Sequence, residues 1–166
     1  MHAFAGRQTN PLIDYRINEI RQRFGMLAIS KSSNSNREML VALKNNQSLG
    51  ILGDLNVPHQ NLFVDFFGIK AAAGAGLGRF VAKTKCPLVF ISITRKNEHQ
   101  HIAHFKRLEY QLTGNTETDT QMLTQLYFTE LEQQIRTNRD HYFWFNRRFK
   151  TRPTSEAGIN LYDKMD

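Results

Sequence analysis

Short apolar runs alternate with stretches of helical apolar spacing along most of this chain, and that alternation restricts the fold more than any single motif. Strands separated by helices favour an α/β arrangement. The expectation is a central mixed, mostly parallel sheet flanked by helices. The clearest strand is Pro87 to Thr94, and Ile102 to Leu108 can pair with it across the polar turn Lys96-Asn97-Glu98. Met26 to Ser30 reads as a short strand. Leu49 to Gly53 is apolar enough for burial on both faces. Leu62 to Phe67 is another apolar run, closing on Gly68.

The helices carry end signals. Asn10-Pro11 supplies a cap and a proline at the first helical position, Leu12, Ile13, Ile17, Ile20 and Phe24 share a face, and Gly25 stops the helix. Ser35-Asn36-Arg37-Glu38 reads as a capping box ahead of Met39, Leu40 and Leu43. Ala71 to Lys85 reads as a third helix with a glycine-rich start. Asp119 is placed to cap a long helix bearing Leu123, Leu126, Tyr127, Leu131 and Ile135. Met1 to Asn10 has no apolar core. Leu55 to Asn61 and Thr113 to Thr118 read as loops.

At 166 residues one domain is expected, over residues 1–153, followed by a loose polar tail over 154–166. Hydrophobic residues at 40% and aromatics at 11% exclude a disordered chain. The single cysteine, Cys86, excludes an intramolecular disulfide and an all-cysteine zinc site. It favours a reducing compartment. No apolar run reaches the ~18 residues of a membrane span. The formal charge of +7 suits an anionic partner: nucleic acid, anionic lipid or an acidic protein.

Most candidate motifs have plain structural explanations. Ala73-Gly74-Ala75-Gly76-Leu77-Gly78 fails the dinucleotide pattern, because Arg79 stands where its last glycine would be. Close packing of a helix on a sheet explains those small residues. His99, His101 and His104 do not share one strand face and have no carboxylate at ligand spacing, so no metal is expected. His104 and Glu109 have a His-x4-Glu spacing, but on a strand they face opposite ways. Cys86 reads as a buried structural thiol.

Two features remain. Asp54 follows a short apolar strand, where it either caps the loop or belongs to a site. The segment Trp144-Phe145-Asn146-Arg147-Arg148-Phe149-Lys150-Thr151-Arg152-Pro153 interleaves rings with cations. Such a mix suits nucleic acid or a membrane interface, or is a solvated basic face.

In order along the chain, Gly6-Arg7 with Asn10-Pro11-Leu12, Gly50 to Asp54, Phe63-Val64-Asp65-Phe66-Phe67-Gly68, Gly76 to Pro87 and Tyr142 to Pro153 resemble the signature blocks of bacterial lipid A late acyltransferases. The resemblance covers about residues 4–153. It implies part of a glycerolipid-acyltransferase-like fold and transfer of a fatty acyl group from acyl-acyl carrier protein to a hydroxyl of a lipid A precursor. It implies the cytoplasmic face of the inner membrane as the place, and no cofactor, metal or nucleic-acid partner. Arg7 matches the family's substrate-binding arginine and Asp54 its functional aspartate. Arg147, Arg148 and Lys150 match its basic end, expected to bind phosphate.

The chain departs from the family pattern in having neither a membrane-spanning helix nor a His-x4-Asp/Glu motif ahead of Gly6-Arg7. Leu55 and Asn146 replace residues that are often polar and histidine, respectively. The expectation is a C-terminal portion of such an enzyme, inactive alone and poorly soluble because part of its core is open. The alternatives are a small basic nucleic-acid-binding module using Trp144, Phe145 and Phe149, or a non-catalytic remnant that binds lipid or a partner.

Overall fold

Asn10 caps the first helix as its side chain allows: Oδ1 accepts from the backbone N–H of Leu12 at 2.9 Å and of Ile13 at 3.4 Å. The computed structural model describes residues 1–58 and 62–162. The expected loop and tail therefore run outside the described residues at His59 to Asn61 and at Asp163 to Asp166. The chain divides into two compact units, Met1–Leu52 and Gly53–Asp166.

In the first unit, β1 (His2–Ala5), α1 (Pro11–Arg23), β2 (Leu27–Ser30), α2 (Ser35–Lys44) and β3 (Leu49–Gly50) follow in order. The sheet is parallel with strand order β2-β1-β3. The first residues of the chain thus form its central strand, although they carry no apolar core. Backbone pairing on both sides holds β1: His2 aligns with Leu27 on one neighbour and Leu49 on the other. The strand expected over Leu49 to Gly53 pairs only at Leu49 and Gly50.

Both helices of this unit depart in part from expectation. No residue of α1 is buried, and Leu12 and Phe24 on its apolar face are 78% and 82% exposed. The capping box of α2 does not form. Asn34 stands at the cap position, and Ser35 turns its hydroxyl back to donate to the Ser32 carbonyl at 2.8 Å. That bond lets the hydroxyl be buried inside the first turn, leaving Met39 and Ala42 to face the sheet.

The second unit begins with a hairpin, β4 (Phe63–Phe66) and β5 (Ile69–Ala72), where the sequence suggested a helix from Ala71. Phe67 and Gly68 make its two-residue turn with φ of 54° and 75°, the signs a type I′ turn requires. The helix α3 (Gly76–Thr84) starts only after this hairpin. The next strands, β6 (Leu88–Arg95) and β7 (His101–Leu108), form the expected antiparallel pair. The long helix α4 (Thr116–Thr137) is capped by Asn115, whose Oδ1 accepts from Glu117 and Thr118 N–H groups. Asp119, expected as the cap, lies one turn further in and is 2% exposed.

Helix α4 organises this unit. One face carries Phe128 and Ile135 into a cluster with Val64, Phe66, Ala71 and Ala73. Leu123 joins Val81, Leu88, Phe90 and Leu108 in a second cluster. Tyr127 and Leu131 pack against both. Gly78 brings α3 against α4, and a Cβ there would stand 2.5 Å from the Thr120 carbonyl oxygen. Of the glycine-rich segment, Gly78 therefore serves helix-on-helix packing, not the helix-on-sheet packing expected, while Gly76 has open space around it and Gly74 lies near Val57.

The fold is mixed α/β, but the described strands form three small sheets in place of one central sheet. Only the first is parallel. A two-residue turn can join only antiparallel neighbours, and parallel strands need a crossover of a dozen residues or more. The Phe67-Gly68 turn and the short connection before His101 thus dictate antiparallel pairs. Among the described residues no helix is long and apolar enough to cross a membrane.

Candidate functional site

Arg148 is the largest of the fully buried side chains, at 2% exposure. It follows a turn in which Arg148 N–H bonds to the Asn146 carbonyl, so its side chain is driven inward between α4 and the β4–β5 hairpin. There Nη1 donates to the Ala72 carbonyl at 2.5 Å. The guanidinium carbon lies 4.8 Å from the centre of the Phe128 ring, a cation–π contact. Among the described residues, the buried Nε and Nη2 have no hydrogen-bond partner.

Around this cation stand Asp54, Tyr127 and Tyr142. Asp54 lies in the loop four residues beyond β3, half-buried, not at the strand end itself. The preceding Gly53 sits against the Tyr127 ring, where a Cβ would approach Cε1 to 3.2 Å. Burial, reinforced by the Asp54 charge, pushes the Tyr127 phenol well above its ordinary value, while the Gly53 N–H acts against that rise. The same two causes push Tyr142 up to about 12. Burial pulls the Arg148 guanidinium down, and Tyr142 and Asp54 oppose it. The result is a fixed cation, a nearby carboxylate and two phenols that keep their protons, packed on Phe66 and Phe128. Such an arrangement can orient and hold charge.

Arg147 and Lys150 lie on the outside of the same segment. Both are exposed. Arg147 is 5.7 Å from the centre of the Tyr162 ring. The residues after Pro153, expected to be loose, pack back onto the basic segment as far as Tyr162. Tyr162 accepts a hydrogen bond from Phe149 N–H at 2.9 Å, and Glu156 pairs with Arg152. Arg152 also donates to the Lys70 carbonyl at 2.6 Å. Between this return segment and Arg147, Lys150 and Arg152 lies a cavity of about 370 Å³. Asn56 joins the Asp54 loop to it by donating to Thr151 Oγ1 at 3.0 Å.

The predicted residues thus fall into three settings. Asp54 and Arg148 come together inside the second unit. Arg147 and Lys150 line the basic cavity. Arg7 is exposed in the first unit, in the loop between β1 and α1. From sequence, Tyr127 is a core residue and Tyr142 only the first residue of the closing aromatic-basic block, and Tyr162 carries no signal. Neither spacing nor charge signals their meeting, because they reach the site from a helix and two separate loops.

The other candidates resolve into ordinary contacts. His104 is 3.1 Å from Thr94 Oγ1, and Glu109 pairs with Arg107, so the two make no dyad. Cys86 is half-buried, and its carbonyl accepts from the Tyr110 hydroxyl. Among the described residues no cluster of three or more His, Cys, Asp or Glu could hold a metal.

A family model described as bacterial lipid A biosynthesis acyltransferase matches residues 1–151. No curated protein matches the chain.

Proposed function

The chain belongs to the bacterial lipid A biosynthesis acyltransferase family, and from that premise we propose that it serves transfer of a fatty acyl group from acyl-acyl carrier protein to a hydroxyl of a lipid A precursor. The observation that carries this reading is the family match over residues 1–151. The basic cavity and the Asp54–Arg148 cluster support it. The proposed place is the cytoplasmic face of the inner membrane, where an acidic carrier protein and a phosphorylated lipid both meet a chain of charge +7.

In this reaction the acceptor oxygen attacks the thioester carbonyl. The ester C–O bond forms, the C–S bond breaks, and the hydroxyl proton passes to a base while the carrier thiolate leaves and takes up a proton. Arg147 and Lys150 hold a lipid phosphate by charge-assisted hydrogen bonds, and Arg7, in the first unit, is by the family resemblance a substrate-binding arginine in its own right. Arg148 acts from beneath, as the buried cation that Asp54 orders, and so fixes the loop bearing Arg147 and Lys150. The base is a histidine that these 166 residues do not supply, since their His-x4-Glu pair, His104 and Glu109, is engaged elsewhere. Inactivity of the chain alone is therefore part of the proposal. The partial glycerolipid-acyltransferase-like fold belongs to the same proposal.

The test is binding of the purified chain to a phosphorylated lipid A precursor, its dephosphorylated form and single-stranded DNA. The expected result is about tenfold tighter binding of the phosphorylated lipid, ~1.4 kcal/mol, with the difference lost in the double variant Arg147→Ala/Lys150→Ala. Equal affinity for both lipids would overturn the phosphate assignment. Acyl transfer by the chain alone would overturn its inactivity. Tighter binding to DNA, falling steeply with salt, would select the nucleic-acid reading.

A further inference from the structure

Phe143 and Phe145 project from the second unit at 70% and 90% exposure, with ring centres 5.9 Å apart. The turn that presents them is held from behind. Trp144 N–H bonds to the Tyr142 carbonyl, and Asn146 N–H to the Phe143 carbonyl. Trp144 Nε1 donates to the Arg139 carbonyl at 2.7 Å, and its ring packs 5.0 Å from Tyr142 and 5.9 Å from Phe67. Trp144, itself 50% exposed, thus anchors the turn through its inner edge while its two neighbours face water more fully.

Charge surrounds this turn. Residues 136–152 carry six Lys and Arg against a single acidic residue, Asp140; of the six, Arg148 is buried and Arg136 and Arg152 are paired with Glu132 and Glu156. Arg139, Arg147 and Lys150 are exposed. Two phenyl rings bordered by cations match the two layers of an anionic bilayer, an apolar boundary beneath phosphate headgroups. Single-stranded nucleic acid asks for something else, flat rings on which successive bases stack. Here the two rings tilt 54° to each other at contact distance and so shield one another's faces.

We infer that the turn Tyr142 to Phe145 is a membrane wedge: Phe143 and Phe145 enter the headgroup–acyl boundary of an anionic bilayer while Arg139, Arg147 and Lys150 stay with lipid phosphates. This deepens the membrane placement proposed above and rests on it, but it does not depend on catalysis.

Trp144 is the only tryptophan in the chain, so its emission reports on the wedge itself. The experiment titrates the protein with vesicles of phosphatidylglycerol and phosphatidylethanolamine, with phosphatidylcholine vesicles and with single-stranded DNA. Binding to the anionic vesicles should shift Trp144 emission to the blue, and lipids brominated on their acyl chains should quench it. The double variant Phe143→Ser/Phe145→Ser should keep its fold, because both rings are exposed, and lose about tenfold or more in partitioning. Absent binding, an unshifted and unquenched Trp144, or unchanged partitioning of the double variant would overturn the wedge. A shift with DNA and none with vesicles would overturn it in favour of nucleic acid. A chain that inserts but does not distinguish phosphorylated from dephosphorylated lipid A precursor keeps the wedge and loses the proposed phosphate site. The opposite pattern loses the wedge alone.

Discussion

Arg148 Nη1 reaches the Ala72 carbonyl across 2.5 Å, tying the basic segment near the end of the chain to the last residue of β5. Both partners are buried, so the bond competes with no solvent. Arg148→Ala strands the carbonyl, removes the contact with Phe128 and leaves a large void. The expected loss is about 2–4 kcal/mol, read from chemical denaturation. Arg148→Lys should recover only part of it, since an ammonium cannot lie flat on the ring while reaching the carbonyl. A stability unchanged in Arg148→Ala would show that the buried guanidinium is not structural.

Gly78 tests helix packing without any backbone peculiarity. Alanine is the better helix former, but its Cβ would meet the Thr120 carbonyl oxygen at 2.5 Å and Thr124 Oγ1 at 2.8 Å. The carbonyl belongs to α4 and cannot rotate away. Gly78→Ala should cost about 1–3 kcal/mol, as overpacking does, and lower the melting temperature. A stabilised variant would mean that α3 and α4 stand further apart.

Gly68 gives the converse case. It has open space around it and a φ of 75°. Gly68→Ala should cost about 1 kcal/mol through conformation alone, and Gly68→Asn less, because asparagine tolerates the left-handed region. Equal melting temperatures for the three proteins would argue against the type I′ turn.

The two phenols beside Asp54 predict an alkaline transition. In the unfolded chain they titrate near pH 10. In the folded chain Tyr127 is raised further and Tyr142 is pushed up to about 12. The folded state therefore retains protons that the unfolded state gives up. The associated stability is complete below about pH 10 and is lost as pH rises through the folded values. Phenolate absorbance should show late-titrating groups, one fewer in each of Tyr127→Phe and Tyr142→Phe. Titration of both phenols at their ordinary value in folded protein would contradict their burial.

Asp119 makes the opposite prediction at acid pH. It accepts from Thr113 N–H and Oγ1, each at 2.8 Å, and from Gly114 N–H at 3.1 Å. The Thr113 N–H foremost holds its carboxyl below the usual aspartate range, against the opposing effect of burial. Its contribution is thus present above the unfolded value and lost as pH falls through the folded one. Asp119→Asn should weaken the protein at neutral pH and flatten its stability profile below about pH 4. An unchanged acid profile would remove Asp119 from that role.

Local rules worked where neighbours in sequence settle the outcome. Asn10 caps α1 because the groups it satisfies are two and three residues away. The pairing of β6 with β7 was legible from two apolar runs and a polar turn. The strand β1 was not legible, because its partners lie some 25 and 47 residues further along the chain. The Ser35 cap failed because a serine hydroxyl has a second partner within reach, the Ser32 carbonyl. Asp54 and the basic segment were visible as candidates, but the gathering of Tyr127 and Tyr142 around them was not.

The mixed α/β class, both ends of α1, the end of α3, the positive charge and the density of cations and rings after Tyr142 were all legible in the residues alone. These follow from periodicity, capping chemistry and composition, all of which act over a few residues. Which arginine is buried and which are exposed is set by packing between elements distant in sequence. Arg147 and Arg148 are adjacent and chemically identical, yet one lies over Tyr162 at the surface and the other on Phe128 in the interior. The turn before them sends neighbouring side chains to opposite sides, and the packing of α4 against the β4–β5 hairpin determines which side is dry.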